Sequence, residues 1–202
     1  LKESTSTIWH LKPKLPGFNS NEATTFIFNS GPPPTLALTT SLVSSMETDD
    51  LRKTHWMREI SNGTDSWYHA NKYQYNQNTG TSLEYSIVFR LSEQYLIRSE
   101  AKAMLGDITG ALADINTIRN RAGIASLGAN NLIDFRELLL NERRHELFTE
   151  HGHRWFDLKR MGLTADIIAP IKPGWSANNV LLPIPDSELL INPNLRPQNT
   201  GY

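Results

Sequence analysis

The chain has 202 residues, a formal net charge of −1 from 20 basic and 21 acidic side chains, and no cysteine. The balanced charge argues against a nucleic-acid-binding protein, which usually carries a basic stripe. The lack of cysteine excludes disulfides, thiol catalysis and cysteine metal sites in this sequence. No apolar run is long enough to cross a bilayer. The length predicts a single domain over 1–202 with a substantial core.

The first part of the chain is predicted to contain short strands and one helix. Residues 4–11 and 25–28 have the composition of strands. The Gly-Pro-Pro-Pro run at 31–34 ends this region, because consecutive prolines fix φ and remove backbone donors. An approximate apolar stripe then predicts a helix over 35–46.

The middle of the chain is rich in turn-forming residues. The segments 61–66 and 76–80 are predicted to be polar turns, the first of them around an Asn-Gly pair. Residues 72–75 are predicted to form a strand between these turns. Loops of this kind often carry binding residues when rigid neighbours hold them.

A helical hairpin is predicted over 91–122. The first helix covers 91–105 and stops at Gly106, as helices often do at a C-terminal glycine. Asp107 caps the second helix, whose apolar residues recur at helical spacing until Gly123. Two helices joined so tightly must lie antiparallel, like the pair of a tetratricopeptide repeat.

The last part of the chain is predicted to be one more long helix and an irregular tail. Asp134 and Glu137 have capping-box spacing, which predicts a third helix that ends at Gly152. The prolines of the tail, 161–202, forbid long helices, although 185–190 is predicted to form a short one. The predicted fold class is therefore mainly α: tetratricopeptide-like helical hairpins with irregular loops, minor β segments and a Pro-rich C-terminal tail.

Charge and aromatic residues are densest in the stretch 141–160, which reads NERRHELFTEHGHRWFDLKR. An unpaired buried charge is costly, so each charge pressed against the core must have a partner. The arginines expected to pair are Arg143, Arg154 and Arg160, and the expected carboxylates are Glu142, Glu146, Glu150 and Asp157.

The same stretch resembles the C-terminal signature of the SusD/RagB-like family of glycan-capturing outer-membrane lipoproteins. A Glu-Arg-x-x-Glu-Leu helix at 142–147 precedes Gly-x-Arg at 152–154 and Trp-Phe-Asp-Leu-x-Arg at 155–160. Other similar segments are RLSEQYLIRSEA at 90–101, the Ile-Asn and Arg-Asn-Arg-Ala-Gly elements within 115–123, and the tail from Leu182 to Tyr202. The similarity covers about 50–202 and is weak over 1–49, and Thr200 stands where proline is commoner.

The resemblance implies a function, a location and a partner. The function would be non-catalytic capture of an oligosaccharide or polysaccharide at the outer-membrane surface, followed by delivery to a SusC-like TonB-dependent porin. The chain would be the C-terminal part of a longer surface lipoprotein, whose lipid anchor and N-terminal repeats lie upstream of this chain. No cofactor and no nucleic-acid partner are expected.

Aromatic residues beside amides are the candidates for sugar contact. Trp67, Tyr68 and Asn71 follow the Asn-Gly turn, and Trp175 lies between Gly174 and Ser176. The structural alternative is that the first two aromatics only fix their loop against the helices. Trp9, Trp56 and Trp155 are predicted to be core residues.

The other classes of function lack part of their pattern. The Glu-x-x-His pairs at 142–145 and 150–153 lie in one short stretch, whereas a carboxylate-bridged di-metal bundle needs them on different helices. We therefore predict no metal site and no catalytic residue, although the sequence alone does not exclude a carboxylate pair such as Asp65 and Glu84. The alternative function is a helical-repeat scaffold for protein–protein interaction without a sugar ligand. Exposure of 67–71 beside a groove favours capture, and burial favours the scaffold.

Overall fold

The computed structural model describes residues 2–202, which form two compact units that divide after His151. The elements of the first unit are β1 (Thr7–Leu11), α1 (Asn21–Phe26), α2 (Thr40–Ser45), α3 (Leu51–Trp56), β2 (Met57–Ser61), β3 (Ser66–Ala70), β4 (Ser86–Arg90), α4 (Leu91–Met104), α5 (Ile108–Arg121) and α6 (Leu132–Leu147). The second unit contains α7 (His153–Arg160), α8 (Thr164–Ile168), α9 (Asp186–Ile191) and 3-10 turns at Ala177–Val180 and Pro193–Leu195. The mainly helical fold class is confirmed, and the single domain over 1–202 stays a prediction.

The predicted hairpin of α4 and α5 is the most regular part of the first unit. Gly106, at φ +90°, ends the first helix, and the Asp107 side chain accepts a hydrogen bond from Gly110 N at 2.8 Å to cap the second. The helices pack closely because small residues lie between them: Ser99 Oγ donates to the carbonyl of Ala111 at 2.7 Å. These contacts follow from residues that sequence reasoning could read directly.

The strands form two separate antiparallel pairs, β1 with β4 and β2 with β3. In the second pair Trp67 lies opposite Ile60 and Tyr68 opposite Glu59. The sequence predicted β1 but missed the other three strands. The strand predicted over 25–28 is wrong, since Ser20 Oγ accepts from Ala23 N and starts helix α1 instead.

Two predicted helix boundaries and one strand also differ from the structure. Only Thr40–Ser45 of the segment 35–46 is helical, because Leu38 N donates to the carbonyl of Tyr68 at 2.8 Å and is held extended. Helix α6 starts two residues before Asp134, since the Asn131 side chain caps it. It ends at Leu147, and Gly152 precedes α7 rather than ending α6. Residues 72–75 do not form a strand.

A cluster of buried apolar side chains lies where α2, the β2–β3 pair and the end of α6 meet. Its members are Leu42, Val43, Met46, Met57, Ala70 and Phe148. Trp56 packs against it and is half-buried, whereas Trp9 is 51% exposed and was wrongly predicted as core. Within residues 2–202, no helix has both the length and the apolar character that a membrane crossing requires.

Candidate functional site

The charged stretch contributes to a buried ion network in the first unit. The network, called here the Arg52 network, consists of Asp50, Arg52, Arg90, Arg119, Arg121, Glu142 and Glu146. Arg52 is only 2% exposed, and its guanidinium contacts Asp50 at 2.8 Å, Glu142 at 2.6 Å and Glu146 at 3.0 Å. One cation thus links the N-terminus of α3 to two carboxylates on one face of α6.

The remaining arginines complete the pairing of the two glutamates. Arg121 Nη2 lies 2.7 Å and 2.8 Å from the two carboxylate oxygens of Glu146. Arg90 also pairs with Glu146. Arg119 Nη1 lies 3.2 Å from Glu142 Oε2. Every carboxylate of the network therefore has at least one guanidinium, which is the arrangement that keeps buried charges tolerable.

Lys72 and Trp56 extend this region on the side of Glu150. Lys72 Nζ pairs with Glu150 and donates to the carbonyls of Glu146 and Phe148 at 2.8 and 3.0 Å. The same ammonium lies 4.8 Å from the centroid of the Trp56 ring. These bonds satisfy two carbonyl groups at the C-terminal end of α6, so the Lys72 ammonium has a structural role.

The positive side chains keep the buried carboxylate charged. Burial raises the pKa of Glu146, but the surrounding arginines outweigh burial and hold that pKa well below its usual range. Burial lowers the pKa of Lys72 to about 8, against the opposing effect of Glu150. The charges of the network compensate one another, which indicates that the network stabilises the fold.

The prediction for the charged stretch is confirmed for Arg160 and incomplete about partners, and the pairings predicted for Arg143 and Arg154 stay predictions. Arg160 pairs with Asp157 at 2.9 Å, as predicted. Five cations that pair with Glu142, Glu146 or Glu150 come from elsewhere in the chain: Arg52, Lys72, Arg90, Arg119 and Arg121. The i, i+4 spacing of Glu142 and Glu146 signals a need for cations on one helix face. Nothing in the sequence says which distant cation will lie there.

The Glu-x-x-His pairs are not brought together as ligands. His145 Nε2 lies 2.9 Å from Ser45 Oγ. Burial, followed by the charge of Arg52, lowers the pKa of His145 to about 4, so the ring is neutral at pH 7. In residues 2–202 no group of three or more histidine, aspartate or glutamate side chains could hold a metal ion.

The predicted sugar contacts at 67–71 lie on β3 and just after it. The Trp67 ring covers Gly31 so closely that a Cβ there would overlap it. Tyr68 packs against the apolar cluster, and partial burial and a hydrogen bond with Glu59 raise its pKa. Asn71 Nδ2 donates to the carbonyl of His55 at 3.3 Å. These three side chains are half-buried, and His69 and Ala70 between them are buried, so the segment 67–71 is only partly exposed.

The other predicted residue, Trp175, lines a cleft of about 620 Å³ in the second unit, called here the Trp175 cleft. Trp155 lies edge-to-face with it at a centroid distance of 6.2 Å. Tyr202, Lys172 and Asn179 also line the cleft. Aromatic faces beside an ammonium and an amide form a concave surface that suits a ligand with both apolar faces and hydroxyl groups.

The C-terminal residues of the chain hold this cleft in place. Gln198 exchanges hydrogen bonds with the backbone of Ile184 at 2.7 and 2.8 Å. Asn199 Nδ2 donates to the carbonyl of Leu182 at 2.7 Å, and Tyr202 Oη donates to that of Leu181 at 2.9 Å. The side-chain amides of Gln198 and Asn199 and the hydroxyl of Tyr202 therefore add to the backbone hydrogen bonds that order the tail.

A further cleft, of about 660 Å³, was not predicted from the sequence. It is lined by residues of 11–19, the start of α1 and the loop 75–78, and is called here the amide cleft. Phe18 and Tyr75 line it and are 52% and 42% exposed. The polar segment 76–80 was recognised as a turn, but its contact with the segment after β1 depends on tertiary structure.

Asn19 joins the two sides of the amide cleft with all of its hydrogen-bonding capacity. Its Nδ2 donates to the carbonyl of Gln77 at 2.9 Å and to Thr79 Oγ1 at 3.0 Å. Its Oδ1 accepts from the backbone N–H groups of Leu83 and Glu84 at 2.8 and 3.1 Å. An Asn side chain has two donors and an acceptor with two lone pairs, so none of its capacity is left unused.

Two further features fix the loop that carries Tyr75. Glu84 is 2% exposed, and its carboxylate accepts from the backbone N–H groups of Gln74 and Tyr75 at 2.9–3.1 Å. Gly17 has φ +80°, and a Cβ there would lie 2.6 Å from Asn78 Oδ1. The cleft is thus formed by a loop that side chains from beneath and beside it hold in position.

Comparison with known proteins identifies the family. The SusD family model matches residues 39–174. One SusD-like protein of Formosa agariphila is 35% identical over 133 residues, which cover 57% of this chain and 26% of that protein. A second, from the same organism, is 30% identical over 125 residues, covering 57% of this chain and 24% of that protein.

Solved structures share the fold. A SusD superfamily protein from Parabacteroides distasonis has a TM-score of 0.76 at 24% identity, over 98% of this chain and 50% of that one. Surface glycan-binding protein A from Bacteroides uniformis has a TM-score of 0.69 at 21% identity, over 98% and 49%. The chain spans about a quarter of those curated relatives and about half of these solved chains. On the family match and the shared fold, the chain belongs to the SusD family.

Proposed function

We propose that this chain takes part in non-catalytic capture of an oligosaccharide or polysaccharide at the surface of the outer membrane. The observation that carries the proposal is the Trp175 cleft, where two tryptophans meet edge-to-face beside Tyr202. Aromatic rings can stack on the apolar face of a sugar while the amide and ammonium groups contact its hydroxyls. Family membership supports the same function.

The names of similar structures point in the same direction. One of them is a surface glycan-binding protein and another is a SusD-like carbohydrate binding protein from Bacteroides vulgatus, which has a TM-score of 0.59 at 22% identity. We propose that the captured ligand passes to a SusC-like TonB-dependent porin, and that the protein acts as a lipoprotein on the cell surface. The resemblance to the family supports this partner and this location.

Trp67, Tyr68 and Asn71 form a second candidate contact surface. Their packing on Gly31, the apolar cluster and the His55 carbonyl commits part of each side chain. Trp175 instead lines a cleft together with Trp155 and Tyr202, and this concave surface carries the proposal. Single substitutions can test the contribution of each surface to binding separately.

The test is calorimetric titration with a panel of neutral hexasaccharides derived from starch, xylan and galactan. Trp175→Ala should weaken binding of the recognised glycan, because one aromatic contact contributes about 0.5–1.5 kcal/mol, or roughly two- to twelvefold in affinity. Trp67→Ala and Tyr68→Ala measure the second surface under the same conditions. Binding by the native chain that none of these variants weakens would remove both surfaces from the site.

Two controls separate capture from the alternatives. Release of reducing sugar from the bound glycan would show an enzyme rather than a binding protein. A native chain that binds no member of the panel but forms a stable complex with a protein partner would favour the helical-repeat scaffold. Capture is supported when the glycan binds, is recovered intact and loses affinity on substitution at Trp175.

A further inference from the structure

We propose that the amide cleft binds an acidic saccharide, one that carries carboxylate or sulfate groups. A sugar ring would lie against Phe18 and Tyr75, and its anionic group would contact Lys12 and Lys14. The saccharide character of the ligand rests on the proposed function. The preference for negative charge rests on the cleft itself, which is distinct from the Trp175 cleft.

The charges that line the amide cleft are of one sign. Lys12 and Lys14 both line it, and among its described lining residues there is no carboxylate. Neither lysine forms an ion pair with a residue in the described range 2–202. A concave surface with uncompensated positive charge concentrates the local field and attracts anions.

The acidic residues next to the cleft already have donors. Glu22 Oε2 accepts from Ser86 Oγ at 2.7 Å, and the buried Glu84 accepts from the backbone of the loop. These carboxylates are used to build the wall and the floor. The lysines therefore have their ammonium groups available for a ligand.

The rest of the lining suits a sugar better than a simple anion. Phe18 and Tyr75 line the cleft and are 52% and 42% exposed, so both rings offer apolar surface to a ligand. The amides of Asn76, Gln77 and Asn78 can donate and accept at once, as ring hydroxyls require. Stacking surface, amides and ammonium groups together match an acidic sugar.

The cleft is also held ready for a ligand. The bonds of Asn19 and the bond from Thr79 N to the carbonyl of Gly17, at 2.9 Å, join its two sides. A preformed site loses little conformational entropy on binding, so modest contacts give measurable affinity. Lys12 and Lys14 themselves are exposed and can be replaced without loss of buried contacts.

The test compares matched charged and neutral ligands by calorimetry in 20 mM NaCl. The first pair is tetragalacturonate and its methyl ester, and the second is a sulfated κ-carrageenan tetrasaccharide and its desulfated form. We expect the charged member of at least one pair to bind about tenfold more tightly. The preference should weaken in 300 mM NaCl, because salt screens exposed charges.

Variants assign that preference to the cleft. The double substitution Lys12→Gln, Lys14→Gln should abolish it, and Tyr75→Ala should weaken binding of the charged ligand. Lys159→Gln, at an exposed lysine that lines neither cleft, should leave the preference unchanged. Inorganic sulfate at an equal concentration should not displace the charged oligosaccharide, because sulfate alone has no ring to stack on Phe18.

Three results would overturn the inference: equal binding of both members of each pair, a preference that persists in the double lysine variant, or full displacement by sulfate. Absence of binding by every charged ligand at millimolar concentration would also count against it. Failure of the proposed function is seen separately, as neutral-glycan binding that does not respond to Trp175→Ala. The two proposals can therefore fail independently.

Discussion

Arg52 and Glu146 are 94 positions apart in the chain, yet Arg52 Nη1 lies 3.0 Å from Glu146 Oε2 and both side chains are almost fully buried. The same guanidinium also contacts Asp50 and Glu142. One residue of a short helix thus compensates three buried carboxylates. Removal of one charge from such a group leaves buried charges of the opposite sign uncompensated. The resulting loss of stability is larger than the stability that the ion pair itself contributes.

Arg52→Ala should therefore be strongly destabilising. The three carboxylates that contact Arg52 would remain buried, and the expected loss is roughly 3–5 kcal/mol in the free energy of unfolding. For a chain of this size the midpoint of thermal unfolding should fall by roughly 6–20 °C. Circular dichroism during heating, or urea denaturation, measures the change.

Arg98→Ala is the matched control for this prediction. Arg98 also forms an Arg–carboxylate pair, with Asp114 at 2.7 Å, but its side chain is mostly exposed. Lys102 lies 2.9 Å from the same carboxylate and stays in place. The midpoint should change far less than in Arg52→Ala, since exposed pairs contribute little. Similar losses in both variants would show that burial does not set the importance of the Arg52 network.

Features that depend on residues close together in the chain could be predicted from the sequence, and features that depend on distant residues could not. Gly106, Asp107 and the apolar spacing after them are local signals, and the hairpin of α4 and α5 was predicted to within a residue or two. Residues 35–38 belong to the apolar stripe that predicts a helix over 35–46, but a bond from Leu38 to Tyr68, 30 positions away, holds Leu38 extended. Tertiary pairing overrides local preference at such places.

The candidate sites show the same division. Trp175 was predicted from local composition, and the structure places it in an aromatic cleft. The amide cleft was missed because Phe18 and Tyr75 are 57 positions apart and neither has a distinctive neighbour. Their proximity depends on Asn19, whose four hydrogen bonds reach residues 58 to 65 positions away. A single sequence holds no signal for contacts of that range.

Stability should fall between pH 6.5 and about 4 because of His145. Its pKa is lowered from 6.5 to about 4 in the folded protein, so in this range the unfolded chain binds a proton that the folded protein does not. The contribution is at most about 3.5 kcal/mol. Glu146 has a lowered pKa, so its stabilising effect is present above pH 4.5 and is lost only below that value.

The substitution His145→Gln tests this assignment. Glutamine can still bond to Ser45 Oγ but has no proton to bind in this range. Urea denaturation at several pH values should show a flatter dependence between pH 6.5 and 4.5 than in the native chain. His55→Gln, at an exposed position, should leave the dependence unchanged. An unaltered slope in His145→Gln would assign the acid sensitivity to another group.

Gly31→Ala should displace the Trp67 ring. A Cβ at this position would lie within 3 Å of three atoms of the Trp67 ring, so the ring must shift. Overpacking of this kind typically costs about 1–3 kcal/mol. Gly128→Ala is the control, because a Cβ there meets nothing within 4 Å. The free energy of unfolding should fall in the first variant only, and a Gly31→Ala protein as stable as the control would contradict the close packing.

Asn19 should control the order of the loop that forms the amide cleft. Its Oδ1 accepts from the N–H groups of Leu83 and Glu84, so Asn19→Ala removes the acceptor of both. One hydrogen bond contributes about 1 kcal/mol, and exchange of these amides with solvent deuterium should become roughly five- to tenfold faster. Hydrogen exchange with fragmentation that resolves single amides measures this directly.

Asn19→Asp separates the two halves of the side chain. A carboxylate still accepts from Leu83 and Glu84, but it no longer donates to the carbonyl of Gln77 or to Thr79 Oγ1. Exchange should therefore stay slow at 83 and 84 and become faster at Thr79, whose N–H bonds to the carbonyl of Gly17. Asn116→Ala, which removes a similar side-chain bridge to Leu127, should change none of these amides. Faster exchange at 83 and 84 in the aspartate variant, or no change at Thr79, would mean that the acceptor and donor halves of Asn19 do not hold the loop separately.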